Sequence, residues 1–221
     1  MPKINVERGV LVLPENISYE EGTLIEPLAC VARGQRLAQL KKGQSVLILG
    51  VGLSGLLHLL LARAVAAKPI IVTDINENRL KSAKEFGADF VINAREDVVS
   101  SLRKVNDNRL ADLVIVCTGA KSAFEQALKC VERAGTILFF APTEPGETLA
   151  IPVNDFWRLS IKLLHSYGSS PYDAQEALNL ISKKIIPVAK MITHRLKLEE
   201  AGVGFKLVSE AKECIKVVIN P

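Results

Sequence analysis

Short apolar runs alternate along this chain with stretches whose apolar positions recur at helical spacing. Six runs stand out: 45–49 (SVLIL), 70–73 (IIVT), 89–92 (DFVI), 113–117 (LVIVC), 136–140 (TILFF) and 161–165 (IKLLH). They are rich in Val, Ile and Leu and lack strict polar alternation, the pattern of parallel strands covered on both faces. The stretches between them carry readable helix stops. Residues 77–86 (ENRLKSAKEF) run to Gly87, suited to a left-handed cap, and 121–133 run to Gly135 in the same way. Ser170-Pro171-Tyr172-Asp173 supplies an N-cap, a proline at the first helical position and an acidic first turn for a helix reaching Lys184. This alternation predicts an α/β fold: a doubly wound six-stranded parallel sheet of the Rossmann type, with N- and C-terminal extensions.

The two ends read differently. Ser18-Tyr19-Glu20-Glu21 has capping-box spacing, and 27–40 reads as a helix stopped by Gly43. After Pro187, residues 198–208 form a weaker helical pattern interrupted by Gly202 and Gly204, and 214–219 (CIKVVI) reads as a last strand. No repeat at solenoid period and no low-complexity segment is present.

Composition narrows the class. At 221 residues the chain has the length of one domain with tails. With 48% hydrophobic and 24% charged residues, it is neither intrinsically disordered, collagen-like nor a disulfide-stapled miniprotein. The mean hydropathy of +0.22 is high, and the buried strands supply a local cause. Only 45–72 suggests a membrane, but Gly50, Gly52 and Gly55, then His58, Arg63 and Lys68, break it into pieces too short to span. Met1-Pro2-Lys3-Ile4-Asn5 opens no signal peptide. Cys30, Cys117, Cys130 and Cys214 include no Cys-x-x-Cys pair, so free thiols in a reducing cytoplasm are expected. The net charge of +4 is scattered, which describes a solvated face and neither a nucleic-acid stripe nor a membrane-binding patch.

The candidate chemistry lies in Gly50-Val51-Gly52-Leu53-Ser54-Gly55, which follows the first strand directly and opens the most apolar helix. The first glycine permits the tight turn, the second lets backbone approach a pyrophosphate, and the third lets helix pack closely on strand. The helix N-terminus then offers unpaired N–H groups to phosphates. Asp74, 24 positions after Gly50 at the end of the second strand, suits a ribose diol and repels a 2′-phosphate, so NAD is expected over NADP. Arg79 favours the 2′-phosphate, stacks on adenine or pairs with Asp74; the sequence leaves these alternatives open. The plain alternative is a glycine-rich turn without a ligand. A methyltransferase has a tighter G-x-G-x-G loop, against which Gly55 and the long apolar helix count. A short-chain dehydrogenase needs Tyr-x-x-x-Lys, whereas Tyr19, Tyr167 and Tyr172 are followed four residues later by Thr23, Pro171 and Glu176.

The remaining residues have structural readings. His58 fits helix packing, His165 ends a strand near a cleft or a dimer edge, and His194 falls in a C-terminal tail expected to be exposed. Cys117 reads as a buried strand residue with no His partner to make it a nucleophile. Phe156 and Trp157 are expected beneath the loop before the sixth strand.

Taken together, Leu13-Pro14, Ile25-Glu26-Pro27-Leu28-Ala29-Cys30, the glycine loop, and Asp74 with Asn76 and Arg79 resemble the zinc-dependent medium-chain alcohol dehydrogenases. So do Glu85-Phe86-Gly87-Ala88-Asp89, Cys117-Thr118-Gly119, and Gly202-x-x-Phe205 followed by Ile215-Lys216-Val217-Val218. The branch is that of sorbitol, threonine and butanediol dehydrogenases, and the resemblance covers nearly the whole chain. It implies two domains, a GroES-like catalytic domain holding zinc and then a dinucleotide domain whose last elements return to the first. On that basis 1–26 would be a linker from the catalytic domain, 27–188 the NAD-binding domain and 189–221 the returning segment. Gly50, Val51, Gly52, Leu53, Gly55, Asp74, Arg79, Thr118 and Gly119 would line the cofactor cleft, with Ala141 and Pro142 near the nicotinamide. Glu26 matches a position that approaches or ligates the catalytic zinc in some polyol dehydrogenases.

The departures are equally informative. The family's zinc site needs a Cys and an adjacent His-Glu pair, and none of His58, His165 and His194 adjoins a Glu. The four-cysteine lobe for structural zinc is missing as well. A catalytic zinc keeps about three protein ligands and polarises the alcohol oxygen; here only Glu26 is a candidate. The expectation is an NAD-binding part of an alcohol or polyol dehydrogenase that transfers hydride from a secondary alcohol, inactive alone and without bound zinc. The alternative is a non-catalytic NAD-binding or partner-binding module, with the zinc domain supplied by a separate chain. A homodimer through the sheet edge at 161–165 is also expected, as is uncovered apolar surface around 1–28 and 191–221.

Overall fold

The apolar runs become the strands of one sheet, whose inner members have no aqueous face. The computed structural model describes residues 9–210 and 213–221. Strands β1 (Val46–Leu49) and β2 (Ile70–Asp74) are buried at every position. With β3 (Phe90–Asn93), β4 (Ala111–Val116), β5 (Val131–Phe139) and β6 (Lys162–His165) they form a six-stranded parallel sheet of order β3-β2-β1-β4-β5-β6. The chain works outward from β1 to β3, then returns to place β4 beside β1. Val46 pairs with Ile70 on one side and with Leu113 on the other. This reversal of strand order opens a crevice at the carboxyl ends of β1 and β4, where open α/β sheets bind ligands.

In chain order the helices are α1 (Tyr19–Gly22), α2 (Ile25–Leu37), α3 (Leu53–Ala64), α4 (Glu77–Glu85), α5 (Val98–Val105), α6 (Lys121–Cys130), α7 (Val153–Leu159), α8 (Pro171–Ser182) and α9 (Ala201–Glu210). Leu47, Leu49, Val114, Val116, Ile137 and Phe139 join Val98 and Leu102 of α5 and Phe124 and Ala127 of α6 in one core. Ile48 and Leu138 point the other way, against Gly55 of α3 and Gly34 of α2. The inner strands therefore pack side chains on both faces of the sheet, which explains their continuous apolar runs. No helix of the described residues is long and apolar enough to cross a membrane.

The chain divides into two compact units, one of them Gly34–Tyr167, which carries the whole six-stranded sheet. The other takes in the chain up to Arg33 together with Gly168–Pro221. It contains a parallel pair of strands, β7 (Ile192–Lys197) and β8 (Lys216–Asn220). Gly204 of α9 fits tightly there: a Cβ would lie 3.2 Å from Ile219 and 3.3 Å from Val217. Reciprocal capping boxes open α1 at Ser18 and Glu21, and α8 at Ser170 and Asp173. Ion pairs of 2.8 Å join Lys184 to Glu21 and Arg195 to Glu20. The lysine holds the Glu21 carboxyl below the usual carboxylate range.

Several elements differ from the sequence expectation. The helix expected over 121–133 ends at Cys130, and Val131 is already extended and paired with Ala111. The left-handed residue there is Ala134 (φ 59°), not Gly135. Gly135 instead avoids a clash, because a Cβ would lie 2.7 Å from the Glu132 carbonyl oxygen. Gly87 (φ 96°) does cap α4 as expected. The helix expected over 27–40 is α2, which begins at Ile25, stops at Leu37 and is followed by left-handed Gln39 (φ 55°). His194, expected in an exposed tail, is half-buried in strand β7, and its Nδ1 lies 2.9 Å from Thr193 Oγ1.

His58 in α3 has the packing role the sequence suggested: it is fully buried. Burial pushes its imidazole from an ordinary 6.5 down to about 3. The folded state therefore keeps His58 neutral while the unfolded chain takes up a proton below pH 6.5. Stability should fall as pH drops from that value, by about 1.4 kcal/mol per unit from this group. Urea unfolding on either side of pH 6.5 is expected to show this slope, and His58→Leu to flatten it in the range above carboxylate protonation.

Candidate functional site

The crevice at the switch point is built from backbone before side chains enter. Leaving β1, Gly50 takes φ +89°, and its N–H donates to the Thr73 carbonyl at 2.8 Å. A Cβ at Gly50 would lie 3.0 Å from that of Thr118, so the loop passes against the segment leaving β4. Gly52 is the N-cap of α3 and offers no side-chain hydrogen bond, leaving the first N–H groups of the helix open to a ligand. Gly55 sits so close to the Gly50 carbonyl oxygen that a Cβ has no room. Gly50 and Gly55 thus make the tight turn and the close packing that their spacing suggested.

Asp74 is 5% exposed, and both of its carboxylate oxygens are engaged. Oδ2 accepts from the Val51 N–H and Oδ1 from the Asn76 N–H, each at 2.9 Å. The acid therefore braces the glycine loop from the neighbouring strand end. Of the alternatives for Arg79, the structure shows the pairing: Nη1 lies 3.8 Å from Asp74 Oδ2, and the guanidinium carbon lies 3.9 Å from a Cβ placed on Gly52. Its Nε is buried without a hydrogen-bond partner among the described residues.

These groups enclose a cavity of about 360 Å³ lined by Gly50, Gly52, Leu53, Asp74, Arg79 and Thr118. Ile75, Ala94 and Gln126 complete its far wall and were not foreseen. Gln126 Nε2 donates to the Ala94 carbonyl at 3.0 Å, fixing that wall across 32 residues of sequence. Ile75 had a local signal, being a large apolar residue left 58% exposed between Asp74 and Asn76. Cys117, half-buried just past the end of β4 and not in a strand as expected, also lines the cavity, and desolvation raises its thiol far above the ordinary value.

Other expected residues lie elsewhere. Val51 and Gly55 are buried beneath the loop and contribute backbone only. Gly119 is exposed and abuts Pro142, whose carbonyl oxygen would lie 2.9 Å from a Cβ at Gly119. Ala141 and Pro142 line a second cavity of about 570 Å³ with Phe139, Leu163 and His165. The His165 ring is 5.2 Å from that of Phe139, at the carboxyl end of edge strand β6.

Glu26 is exposed in α2, where its Oε1 accepts from Cys30 Sγ at 3.2 Å. Burial, then the hydrogen bond to Glu26, pushes the Cys30 thiol up to about 11. No group of three or more His, Cys, Asp or Glu among the described residues is arranged to hold a metal ion. The donor set around Glu26 therefore does not fit a catalytic zinc, which keeps about three protein ligands.

The geometry has counterparts in known proteins. A family model described as zinc-binding dehydrogenase matches residues 50–183. Sorbitol dehydrogenase 1 of Saccharomyces cerevisiae is 29% identical over 225 residues, covering 98% of this chain and 62% of the yeast protein. An oxidoreductase of unknown specificity from Escherichia coli is 31% identical with a TM-score of 0.85, covering 94% of this chain and 59% of that one. A Sinorhizobium meliloti protein solved bound to NADP is 28% identical with a TM-score of 0.87, over 95% of this chain and 61% of that one. The chain thus spans about three fifths of the length of each of these relatives (62%, 59% and 61%).

The contact between Gly50 and Gly55 gives a direct test. Gly55→Ala should lower the unfolding free energy by about 1–3 kcal/mol, since the carbonyl in the way is backbone. Gly202→Ala, where a Cβ meets nothing within 4 Å, should be neutral or stabilising in the same urea titration.

Proposed function

Because the chain belongs to the zinc-binding dehydrogenase family, we propose that it is the NAD-binding part of a polyol-type alcohol dehydrogenase. The observation that carries this reading is the glycine loop opening an uncapped α3 beside a braced Asp74. The free N–H groups at the start of α3 take the pyrophosphate, and Gly52 lets it approach the backbone. Asp74 turns part of its acceptor capacity to the adenosine ribose, and Ile75 offers an apolar wall to the adenine. Thr118 and Gly119, with Ala141 and Pro142, bound the nicotinamide end. Bound NAD supplies the hydride acceptor for oxidation of a secondary alcohol.

Cofactor choice is the finer part of the proposal. The Asp74 carboxylate repels a 2′-phosphate, while Arg79 attracts one, and the Sinorhizobium meliloti relative was solved with NADP. The acid is the more buried partner, at 5% against 28% side-chain exposure, and it stands in the less screened position. NAD is therefore preferred.

A second reading is favoured by the donor set around Glu26. With no group of three metal donors among the described residues, the chain binds NAD without activating an alcohol by itself, as a module or beside a separate chain that holds zinc. Edge strand β6 would join two copies into a dimer, since its outer side is unpaired in the sheet. A reducing, cytoplasmic setting suits its free thiols.

Calorimetry is expected to give micromolar NAD binding and at least about tenfold weaker NADP binding, a difference of ~1.4 kcal/mol. Asp74→Asn, which keeps an acceptor for the loop but drops the charge, should narrow that gap; equal wild-type affinities would sink the preference. With zinc, NAD and a panel of diols, the purified chain should produce no NADH, and steady turnover would refute the second reading. Light scattering should report a dimer; a clean monomer would rule out the edge pairing.

A further inference from the structure

One buried polar cluster behind the cofactor cleft is unused by the proposed function. Gln35 in α2 and His58 in α3 are 23 residues apart in sequence, 4% and 0% exposed. Gln35 Nε2 donates to the His58 backbone carbonyl at 2.8 Å and lies 3.1 Å from the His58 Nδ1. A carbonyl oxygen only accepts, so the amide orientation is fixed and Nδ1 is the acceptor of the second amide hydrogen. His58 is then the tautomer protonated at Nε2, and that nitrogen has no hydrogen-bond partner among the described residues. The imidazole meets the Phe140 ring edge to face, with centroids 4.6 Å apart and planes at 88°. Such a contact is favourable through the ring quadrupole and offsets part of the cost of an unpaired N–H.

The surroundings leave this cluster little freedom. A Cβ at Gly34 would lie 3.2 Å from Leu138, 3.4 Å from Phe140 and 3.5 Å from His58, so α2 presses onto the end of β5 at that point. On the other side of Phe140, the N–H groups of Phe140 and Ala141 both donate to the Val116 carbonyl, at 3.1 and 3.0 Å. The Phe140 ring is thus held by His58, and its backbone by the end of β4. The next two residues are Ala141 and Pro142, the second of which abuts Gly119.

We propose that Gln35, His58 and Phe140 form a positioning unit that locks helix α3 to the 140–142 segment and so sets the nicotinamide end of the bound cofactor. The inference rests on the NAD-binding reading given above. Gln35 and His58 line neither cavity, whereas Phe140 lines the second one with Ala141 and Pro142; the unit acts through that segment. The adenine end, held by Asp74, Ile75 and the start of α3, does not depend on them.

The test compares NAD with ADP, which carries the adenosine and pyrophosphate but no nicotinamide. His58→Leu is expected to weaken NAD binding about five- to tenfold while ADP binding stays within about twofold. Phe140→Leu should give the same selective loss, and the double variant no more than the larger single effect, because both break one coupled contact. Phe140→Leu alone also decides the matter if His58→Leu fails to fold. Equal losses on both ligands would show a purely structural role, and no loss on either would show no role; each overturns the proposal. So would a wild-type chain that binds ADP as tightly as NAD, since its nicotinamide end would then make no contact to be set. A wild-type chain that binds neither ligand overturns the NAD-binding reading, and this inference with it.

Discussion

The Gly50 carbonyl oxygen leaves no room for a Cβ at Gly55, the closest such approach at any glycine of the sheet unit. This closeness lets helix α3 start immediately after β1 and lie flat against Ile48. Once the helix is that close, Val51 is buried, and its N–H must find an acceptor away from water. Asp74 on the adjacent strand is that acceptor, at 2.9 Å. One acid thereby satisfies a buried donor, fixes the loop and places negative charge at the edge of the cavity. The Asn76 N–H on its other oxygen shares the load. The cofactor cleft is thus a consequence of how closely one helix packs, more than of any reactive side chain.

That origin explains which parts of the molecule could be read from its sequence. The inner strands were legible because both faces of the sheet are buried, so Val46–Leu49 and Ile70–Asp74 contain no solvent-facing positions to blur the run. The glycine loop was legible because a positive φ at Gly50 and a backbone contact at Gly55 both disfavour any side chain. Asp74 was legible by its distance from the loop, although its bracing of Val51 was not. The far wall of the cleft was hidden: Gln126 and Ala94 meet only through a hydrogen bond across the fold. So was the contact between Gln35 and His58, since no local pattern reports which buried His meets which amide.

The misread elements share one physical cause. At Cys130 the helix passes straight into β5 without a left-handed glycine, because Val131 finds a strand partner in Ala111 at once. Tertiary pairing ended that helix before local propensity did. Strand β7 was overlooked because Thr193, Arg195 and Lys197 face outward and only the alternate positions are covered, in a segment of six residues. A short half-exposed strand with charges on one face has no signature distinct from a loop until its partner, β8, is known.

Cofactor recognition and alcohol activation call on different kinds of order. The first needs open backbone N–H groups and one placed acid, which a single loop and strand end provide. The second, in a zinc-dependent enzyme, needs several donors converging on one ion. Around Glu26 the structure offers a thiol pushed up to about 11 and hydrogen-bonded to the carboxylate itself. A thiol must lose its proton before it can coordinate a metal, and burial beside a carboxylate opposes that loss. A metal at Glu26 would need donors beyond this pair, and no group of three or more His, Cys, Asp or Glu among the described residues is arranged to supply them.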